Sequence, residues 1–408
     1  PLLACILGFF TRYIAGDQTD SSKYIFSLNE NIPAFLFMSV VCALFFGLTL
    51  SAEEIIKDRK ILERERFLDL SRYSYLHSKI TVLFFISAIQ MLSFIVVSKW
   101  ILEINSLTFS YFIILFSTAC FANMLGLNIS ASLNSVVTIY ITIPFILVPQ
   151  LLLSGVIVKF DKLHRSIAND EYVSVAGDIM VSRWAYEALA VNQFTNNDYQ
   201  QHFYNIDRKL SNITYYKDYL IPSVINEMEL PEDKQNKKII INTLKDISIK
   251  WDIPITIENN HQEQSIAILK DLKFKLNILF DKMFEQNETI KSNLINRLGE
   301  REFALLKENN FNDALSEELL NTQNIDKIKK GRDKFIRIME PVYSEPTHNF
   351  GRTQLYSSKK IFAGMEIETF WFNTFIIWLA TSVLYLLLLY NSLSKCIAYL
   401  SSFNKKRT

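Results

Sequence analysis

The stretch that decides the fold is FSYFIILFSTACFANMLGLNISASLNSVVTIYITIPFILVPQLLLSGVIV, residues 109–158. It is almost entirely apolar, it contains no Asp, Glu, Lys or Arg, and one polar turn at Asn134-Ser135 interrupts it. A helix that crosses a bilayer needs about 20 apolar residues, so this run has the length of two helices rather than one. The sequence therefore predicts a membrane protein with two consecutive spans, at 109–133 and 136–158.

Further apolar runs predict three more full spans, at about 33–51, 79–98 and 370–391. Residues 1–11 are also apolar, but they are too few to cross a bilayer. Because the chain starts with Pro1 and shows no basic leader, we interpret them as the end of a truncated first span of a longer protein. The predicted fold class is an all-α membrane protein.

The distribution of Lys and Arg predicts which loops face the cytoplasm. The loop 52–78 and the tail after the last span are rich in these residues, whereas 11–32 and 99–108 contain few. Short loops rich in Lys and Arg mark the cytoplasmic side. We therefore expect 52–78, the turn at 134–135 and the tail to be cytoplasmic, and 159–369 to lie outside.

The outer segment contains a long charged block at about 196–360. The stretches QSIAILKDLKFKLNILFDKMFEQ (264–286) and ETIKSNLINRLGEREFALLKEN (288–309) repeat Ile and Leu at three- and four-residue spacing. That spacing is typical of amphipathic helices, and a block of this size can bury its own core. It is predicted to be an extracytoplasmic helical domain.

Composition and motifs exclude several function classes. A net charge of +1 gives no basic face for a nucleic-acid partner. The sequence has no phosphate-binding G-x-x-x-x-G-K-[ST] loop, no paired histidines and no G-x-S-x-G element. We therefore predict no catalytic residue and no metal site in this chain.

The polar side chains inside the predicted spans have two interpretations. Asn123, Asn128 and Gln150 can hydrogen-bond neighbouring helices, which is the commoner role of amides in membranes, or they can line a path. Pro144 and Pro149 should kink their span near its middle and leave backbone carbonyls free. The kink would be one wall of a central cavity.

The loop 51–76 alternates acids and bases along a helical stretch. It is either a solvated helix with ion pairs at four-residue spacing, or a rigid helix that docks a cytoplasmic partner and passes its motion to the next span.

Several ordered segments resemble the membrane half of ABC-2 type exporters, in particular of ABC subfamily G (white and pleiotropic drug resistance). They are LFFGLTLSAEEIIKDRKILERER (44–66), RYSYLHSK (72–79), GLNISASLNS (126–135), IPFILVPQLLLSGVIVKFDKL (143–163), SRWAYEALAVNQF (182–194) and, less specifically, GMEIETFWFNTFIIW (364–378). The resemblance implies an ABC-2, type V exporter-like helical fold with a large insertion before the last span. The division it implies is a span end at 1–11, a transmembrane core at 32–195, an extracytoplasmic domain at 196–360, and a last span with tail at 361–408. The core contains a coupling helix at 52–76 and an external re-entrant segment at 166–195.

The resemblance also assigns roles to residues. The coupling helix and its exit into the next span would be Glu63, Arg64, Glu65, Arg66, Tyr73, Tyr75 and Lys79, with Glu63 and Glu65 both candidates for the acidic position. The transport pathway would include Asn123, Asn128, Pro144, Pro149, Gln150 and Leu153, and the gate would be Ser154, Gly155, Val156 and Ile157. The re-entrant motif would be Arg183, Trp184, Tyr186 and Glu187.

The function implied is that of a permease that couples ATP hydrolysis to alternating access and exports hydrophobic, amphipathic or lipid-like cargo. ATP and Mg²⁺ would bind a cassette, upstream or on a partner chain, which would supply the ATPase activity. Two membrane halves would form a homodimer or heterodimer in contact with lipid, in a bacterial inner membrane. The alternative is a membrane-anchored receptor or assembly protein whose external domain binds a periplasmic or envelope partner.

Overall fold

The computed structural model describes residues 1–13, 24–64, 71–164, 171–230, 234–254, 262–393 and 395. The chain is mostly helical. The first half contains α1 (Leu2–Thr11), α2 (Ile32–Ser51), α3 (Glu54–Arg64), α4 (Arg72–Leu102), α5 (Thr108–Ser132) and α6 (Val136–Leu152). The last helix is α15 (Thr369–Leu389).

Four helices of the described residues are long and apolar enough to cross a membrane. They begin at Ile32, Arg72, Thr108 and Thr369. Three of these starts lie within one residue of a predicted span, whereas the second helix begins seven residues before the predicted start at 79. The two helices of the 109–158 run are separated at Leu133–Ser135, where the polar turn was predicted. Helix α6 is shorter than expected, because it ends at Leu152 rather than 158. The Ser-Gly turn that follows cannot continue a helix, since Gly155 has a φ of +84°.

The centre of the membrane part is α5, which packs against α2, α4 and α15. Helices α2 and α5 approach closely at Gly47, where a Cβ atom would lie 2.5 Å from the carbonyl oxygen of Ala119. Small residues at such a contact let two membrane helices pack backbone to backbone. The main hydrophobic core therefore runs along the α2–α5 contact.

The segment between the last two apolar helices, residues 153–368, is called the interspan segment below. Its helices are α7 (Val175–Asp178), α8 (Val181–Thr195), α9 (Tyr204–Thr214), α10 (Ile221–Glu229), α11 (Lys234–Trp251), α12 (Gln262–Leu298), α13 (Glu300–Asn310) and α14 (Asp313–Leu320). A π-helical turn, Tyr215–Leu220, joins α9 to α10.

The interspan segment also contains two antiparallel hairpins that the helical prediction missed. They pair β1 (Ile328–Lys330) with β2 (Phe335–Arg337), and β3 (Lys359–Phe362) with β4 (Met365–Glu368). Strands of three or four residues are too short to show an alternating pattern in the sequence. The block 196–360 is therefore mostly helical with one small sheet, and the second sheet begins at its end and extends to Glu368.

Two hydrophobic cores organise the interspan segment. Helix α8 is buried over its whole length and belongs to the main core, together with Leu315, Leu319, Val342 and Tyr356. A second core lies among α9, α10, α11, α12 and β2. The segment thus has a part that is continuous with the spans and a part with a core of its own.

Candidate functional site

The predicted coupling helix, α3, is held against α5 from its first turn. The backbone N–H groups of Ile55 and Ile56 donate to the Ser130 hydroxyl at 3.1 and 3.0 Å. The first N–H groups of a helix have no partner within the helix, so a side chain from outside often satisfies them. Here a span supplies that side chain, and the start of α3 is fixed to α5.

Ion pairs fix α3 to α4. Glu54 and Asp58 lie one helical turn apart, and the Lys79 ammonium is 2.8 Å from a carboxylate oxygen of each. The Tyr75 hydroxyl, one turn before Lys79, donates to Asp58 at 3.0 Å. Residues four apart share one face of a helix, so two side chains of each helix meet. Tyr75 and Lys79, both predicted from the family resemblance, therefore contact α3.

A third contact joins α3 to the turn between α5 and α6. The Arg59 guanidinium donates to the Asn134 side-chain oxygen at 2.6 Å and to the Leu133 carbonyl at 3.0 Å. Helix α3 is thus connected to α4, to α5 and to the start of α6.

The last span reaches the same end of the molecule. Arg72 donates to the Leu388 carbonyl at 3.0 Å and to the Asn391 side chain, and His77 contacts the Tyr385 hydroxyl at 3.0 Å. The loops that the charge bias assigns to one side therefore lie together at one end of the spans, called the α3 end below.

The other predicted coupling residues do not join this contact among the described residues. Arg64 is exposed as the last residue of α3, and Tyr73 is exposed with its ring 4.2 Å from that of His77. The side chain of Glu63, and Glu65 and Arg66 altogether, lie outside the described residues. Glu54, Asp58 and Arg59 were missed, although their alternating charges within the loop were noted.

The predicted pathway amides lie between helices. Asn123 of α5 donates to the Ser87 hydroxyl of α4 at 2.7 Å. Asn128, five residues later on α5, donates to the Leu384 carbonyl of α15 at 2.9 Å. Both side chains are buried, so they have the geometry of groups that join helices.

The remaining predicted pathway residues lie on α6 or at its end, and the predicted gate comes directly after it. Pro144 lies on the exposed face and Pro149 is half-buried. Gln150 is buried, and its side-chain oxygen accepts from the backbone N–H of Ser182 at the start of α8 at 3.0 Å. Leu153 is half-buried at the end of the helix.

The predicted gate forms a tight turn around one aromatic ring. Ser154 and Gly155 are buried, Val156 is half-buried and Ile157 is exposed. A Cβ atom on Gly155 would lie 2.4 Å from the Phe160 ring, and one on Gly177 would lie 2.7 Å from it. Phe160 therefore fills a slot that two glycines leave open.

The predicted re-entrant motif lies on α8, at the opposite end of the spans, called the α8 end below. Glu187 is fully buried, and its carboxylate accepts from Lys360 of β3 at 2.7 Å and from Asn373 of α15 at 2.8 Å. Its other oxygen accepts from the Tyr356 backbone N–H at 3.2 Å. The Arg183 guanidinium lies 3.7 Å from the Glu187 oxygen that Lys360 and Asn373 contact. Burial alone would raise the pKa of Glu187, but Arg183 and Lys360 outweigh it and the pKa is lowered.

The remaining residues of the motif surround this cluster. Arg183 stacks on the Trp184 ring, 3.9 Å from its centroid, and contacts Asp178 at 3.6 Å. The Tyr186 hydroxyl donates to Glu318 of α14 at 3.0 Å. All four predicted motif residues are therefore brought together. Lys360 and Asn373 were missed; the unusual Glu within an apolar helix signals that a buried cation must be near, without saying which.

The described residues contain no group of His, Cys, Asp and Glu side chains that could hold a metal ion.

The described part of the chain has a polar site at each end of the spans. One is the set of contacts around α3, and the other is the buried charge cluster around Glu187.

Comparison with known proteins agrees with this architecture. Residues 2–194 match the family model described as ABC-2 type transporter. No curated protein and no solved structure gives a significant match to the chain. The matched part contains α1 to α7 and most of α8, so it contributes residues to both polar sites. The apolar helices and the family match support an integral membrane protein, and residues 2–194 are similar to the membrane domain of ABC-2 type transporters.

Proposed function

We propose that this chain is the membrane part of an ATP-driven exporter of the subfamily G kind. The α3 end faces the cytoplasm and receives an ATP-binding cassette, carried upstream on the same polypeptide or on a partner chain. ATP and Mg²⁺ bind that cassette. The interspan segment is extracytoplasmic, two membrane halves form a homodimer or heterodimer, and the membrane is a bacterial inner membrane.

The docking of α3 is the observation that carries the proposal. Lys79 connects α3 to α4, and Arg59 connects it to the α5–α6 turn. A displacement of α3 must therefore either break these contacts or move the attached helices with it. Rigid-body movement of packed helices is a common way to pass a local event across a protein. This is what the coupling of a cassette to a transport path requires.

The apolar character of the spans favours an apolar cargo. Residues 109–158 contain no charged side chain, and α6 exposes a stripe of large apolar residues at helical spacing. The stripe consists of Val137, Ile141, Phe145, Val148 and Leu152. An ion or a strongly polar cargo would require polar or ionisable groups along its path. Hydrophobic, amphipathic or lipid-like molecules fit this surface.

The experiment measures vanadate-sensitive ATPase activity of the full-length protein with its cassette, in lipid nanodiscs. The variant is Lys79→Met, which removes both ion pairs to α3 and keeps the length of the side chain. The matched control is Lys275→Met, because Lys275 pairs with Asp271 on an exposed face of α12.

We expect Lys79→Met to lower cargo-stimulated ATPase activity about fivefold or more, the lower limit of typical coupling between sites. The control should match the wild type, and both variants should remain dimeric. Equal stimulation in Lys79→Met and wild type would refute a role of the α3 contacts in coupling. A full-length protein that has neither a cassette nor a cassette partner would refute the exporter proposal itself.

The second core of the interspan segment favours one alternative. A body that buries its own core beside the membrane also suits a receptor or assembly protein that binds an envelope partner. In that case deletion of the body would abolish function while any ATPase activity remained unchanged.

A further inference from the structure

Exposed apolar side chains lie at the start of α15 and on segments connected to it. Three parts of the interspan segment contribute: α7, the strand-like stretch near residue 350, and the tip of the β3–β4 hairpin. We call this set the apolar collar; its residues are Val175, Ile179, Phe350, Phe362, Met365 and Trp371. Phe350 is 74% exposed and Met365 is 62% exposed. Contiguous exposed apolar surface marks a site of contact with a protein or a membrane.

The segments that carry the collar are hydrogen-bonded neighbours. Arg352 donates to the Val173 carbonyl at 3.0 Å, which joins the residue-350 stretch to the segment that leads into α7. Phe350 pairs with Phe362 as an isolated antiparallel bridge. Phe362 and Met365 are cross-strand partners on either side of the Ala363-Gly364 turn.

The depth of the collar follows from its contacts with α15. The Phe362 ring lies 6.1 Å from that of Phe372, one turn after the start of the helix at Thr369. Helix α15 has 21 residues. At about 1.5 Å a residue it is roughly 32 Å long, close to the thickness of the hydrocarbon layer. Nearly the whole helix is needed to cross, so Phe372 and the hairpin tip lie at the membrane surface.

The collar also continues a surface that faces lipid. Helix α15 exposes a stripe of apolar residues, and Trp371 is its first member. The stripe continues with Phe375, Leu379, Val383 and Leu386. Tryptophan at the end of a span is typical of the membrane–water interface. Glu366 alternates with Met365 along β4, so it lies on the other face of the hairpin, where it pairs with Lys359 at 3.1 Å.

We propose that the apolar collar inserts into the lipid leaflet at the α8 end of the spans. It anchors the interspan segment to the membrane, with acyl chains as the occupant of the patch. The proposal depends on the spans and goes beyond transport, so it stands or falls separately from the exporter function.

The test uses nitroxide spin labels on the full-length chain in nanodiscs. The four cysteines of residues 1–408, with any others of the full-length protein, are replaced by alanine, and single cysteines are introduced as Met365→Cys or Phe350→Cys. The control is Ile325→Cys, because Ile325 is 92% exposed and lies outside the collar. Power saturation compares the access of oxygen, which concentrates in lipid, with that of a water-soluble nickel complex.

We expect the two collar labels to be more accessible to oxygen than to nickel, and the control label to show the reverse. Collar labels with the nickel accessibility of the control would show that the patch faces water and would overturn the proposal. Collar labels that neither reagent reaches, with dipolar broadening between copies, would show that a second copy covers the patch and would overturn it equally.

Discussion

The buried ion pair between Glu187 and Lys360 gives a quantitative prediction about stability. Glu187→Gln keeps the size of the side chain and its contact with Asn373, but it leaves the Lys360 cation buried without its anion. At 2.7 Å and an effective dielectric constant of about 20, the lost attraction is about 6 kcal/mol. Removal of one partner of a buried pair typically costs about 3–5 kcal/mol. The entropy of unfolding grows with chain length, so for 408 residues the midpoint of thermal unfolding shifts by about 1 °C per kcal/mol. We therefore expect it to fall by roughly 4–5 °C.

The assay follows thermal unfolding of the purified full-length protein in detergent by tryptophan fluorescence. The double variant Glu187→Gln with Lys360→Met should recover part of the loss, because replacement of both members of a buried pair is often nearly neutral, while Arg183 still loses its contact with Glu187. Lys275→Met, whose ion pair is exposed, should change the midpoint little. A Glu187→Gln midpoint within about 1 °C of the wild type would refute the reasoning, since a loss of only about 1 kcal/mol would produce that shift. A double variant less stable than both single variants would refute it too.

Three other changes have expected outcomes in the same assay. The difference in unfolding midpoint between wild type and Glu187→Gln should narrow as the pH falls below about 4. The lowered pKa of Glu187 stabilises the fold above the usual carboxylate range, and that stabilisation is lost as the pH falls through the folded pKa; a constant difference would contradict it. Gly155→Ala should cost about 2 kcal/mol or more, since the new Cβ would lie 2.4 Å from the Phe160 ring. Gly364→Ala, at a similar φ but with no atom within 4 Å, should cost only about 1 kcal/mol; equal losses would exclude a role for the ring. Asn128→Leu should cost about 1 kcal/mol by loss of its hydrogen bond to α15, and an unchanged midpoint would count against it.

Much of the membrane part could be predicted because a bilayer constrains sequence strongly. Apolar length alone located the starts of α2, α5 and α15 within a few residues. The end of α6 was placed too late, since apolar length does not register the Ser154-Gly155 turn. The two hairpins were missed because their strands are too short to carry a period.

The two polar sites differed in how far they could be predicted. The contact of Tyr75 and Lys79 with α3 connects residues 17 to 25 positions apart, and the charge pattern of the loop already pointed to ion pairs. The partners of Glu187 lie 173 and 186 positions away, after an insertion that the family resemblance does not cover. Only the folded chain shows which of the many lysines reaches this carboxylate.

The contact between the start of α9 and the chain just before β3 has a consequence for how this segment can vary. The Tyr204 hydroxyl, at the start of α9, donates to the Ser358 hydroxyl, just before β3. The chain between them contains the second core, and within it α14 also packs into the main core. The entropy of closing such a loop rises only slowly with its length. We expect loops of the part with the second core to tolerate changes of length without rebuilding of the spans, provided that α14 keeps its place in the main core.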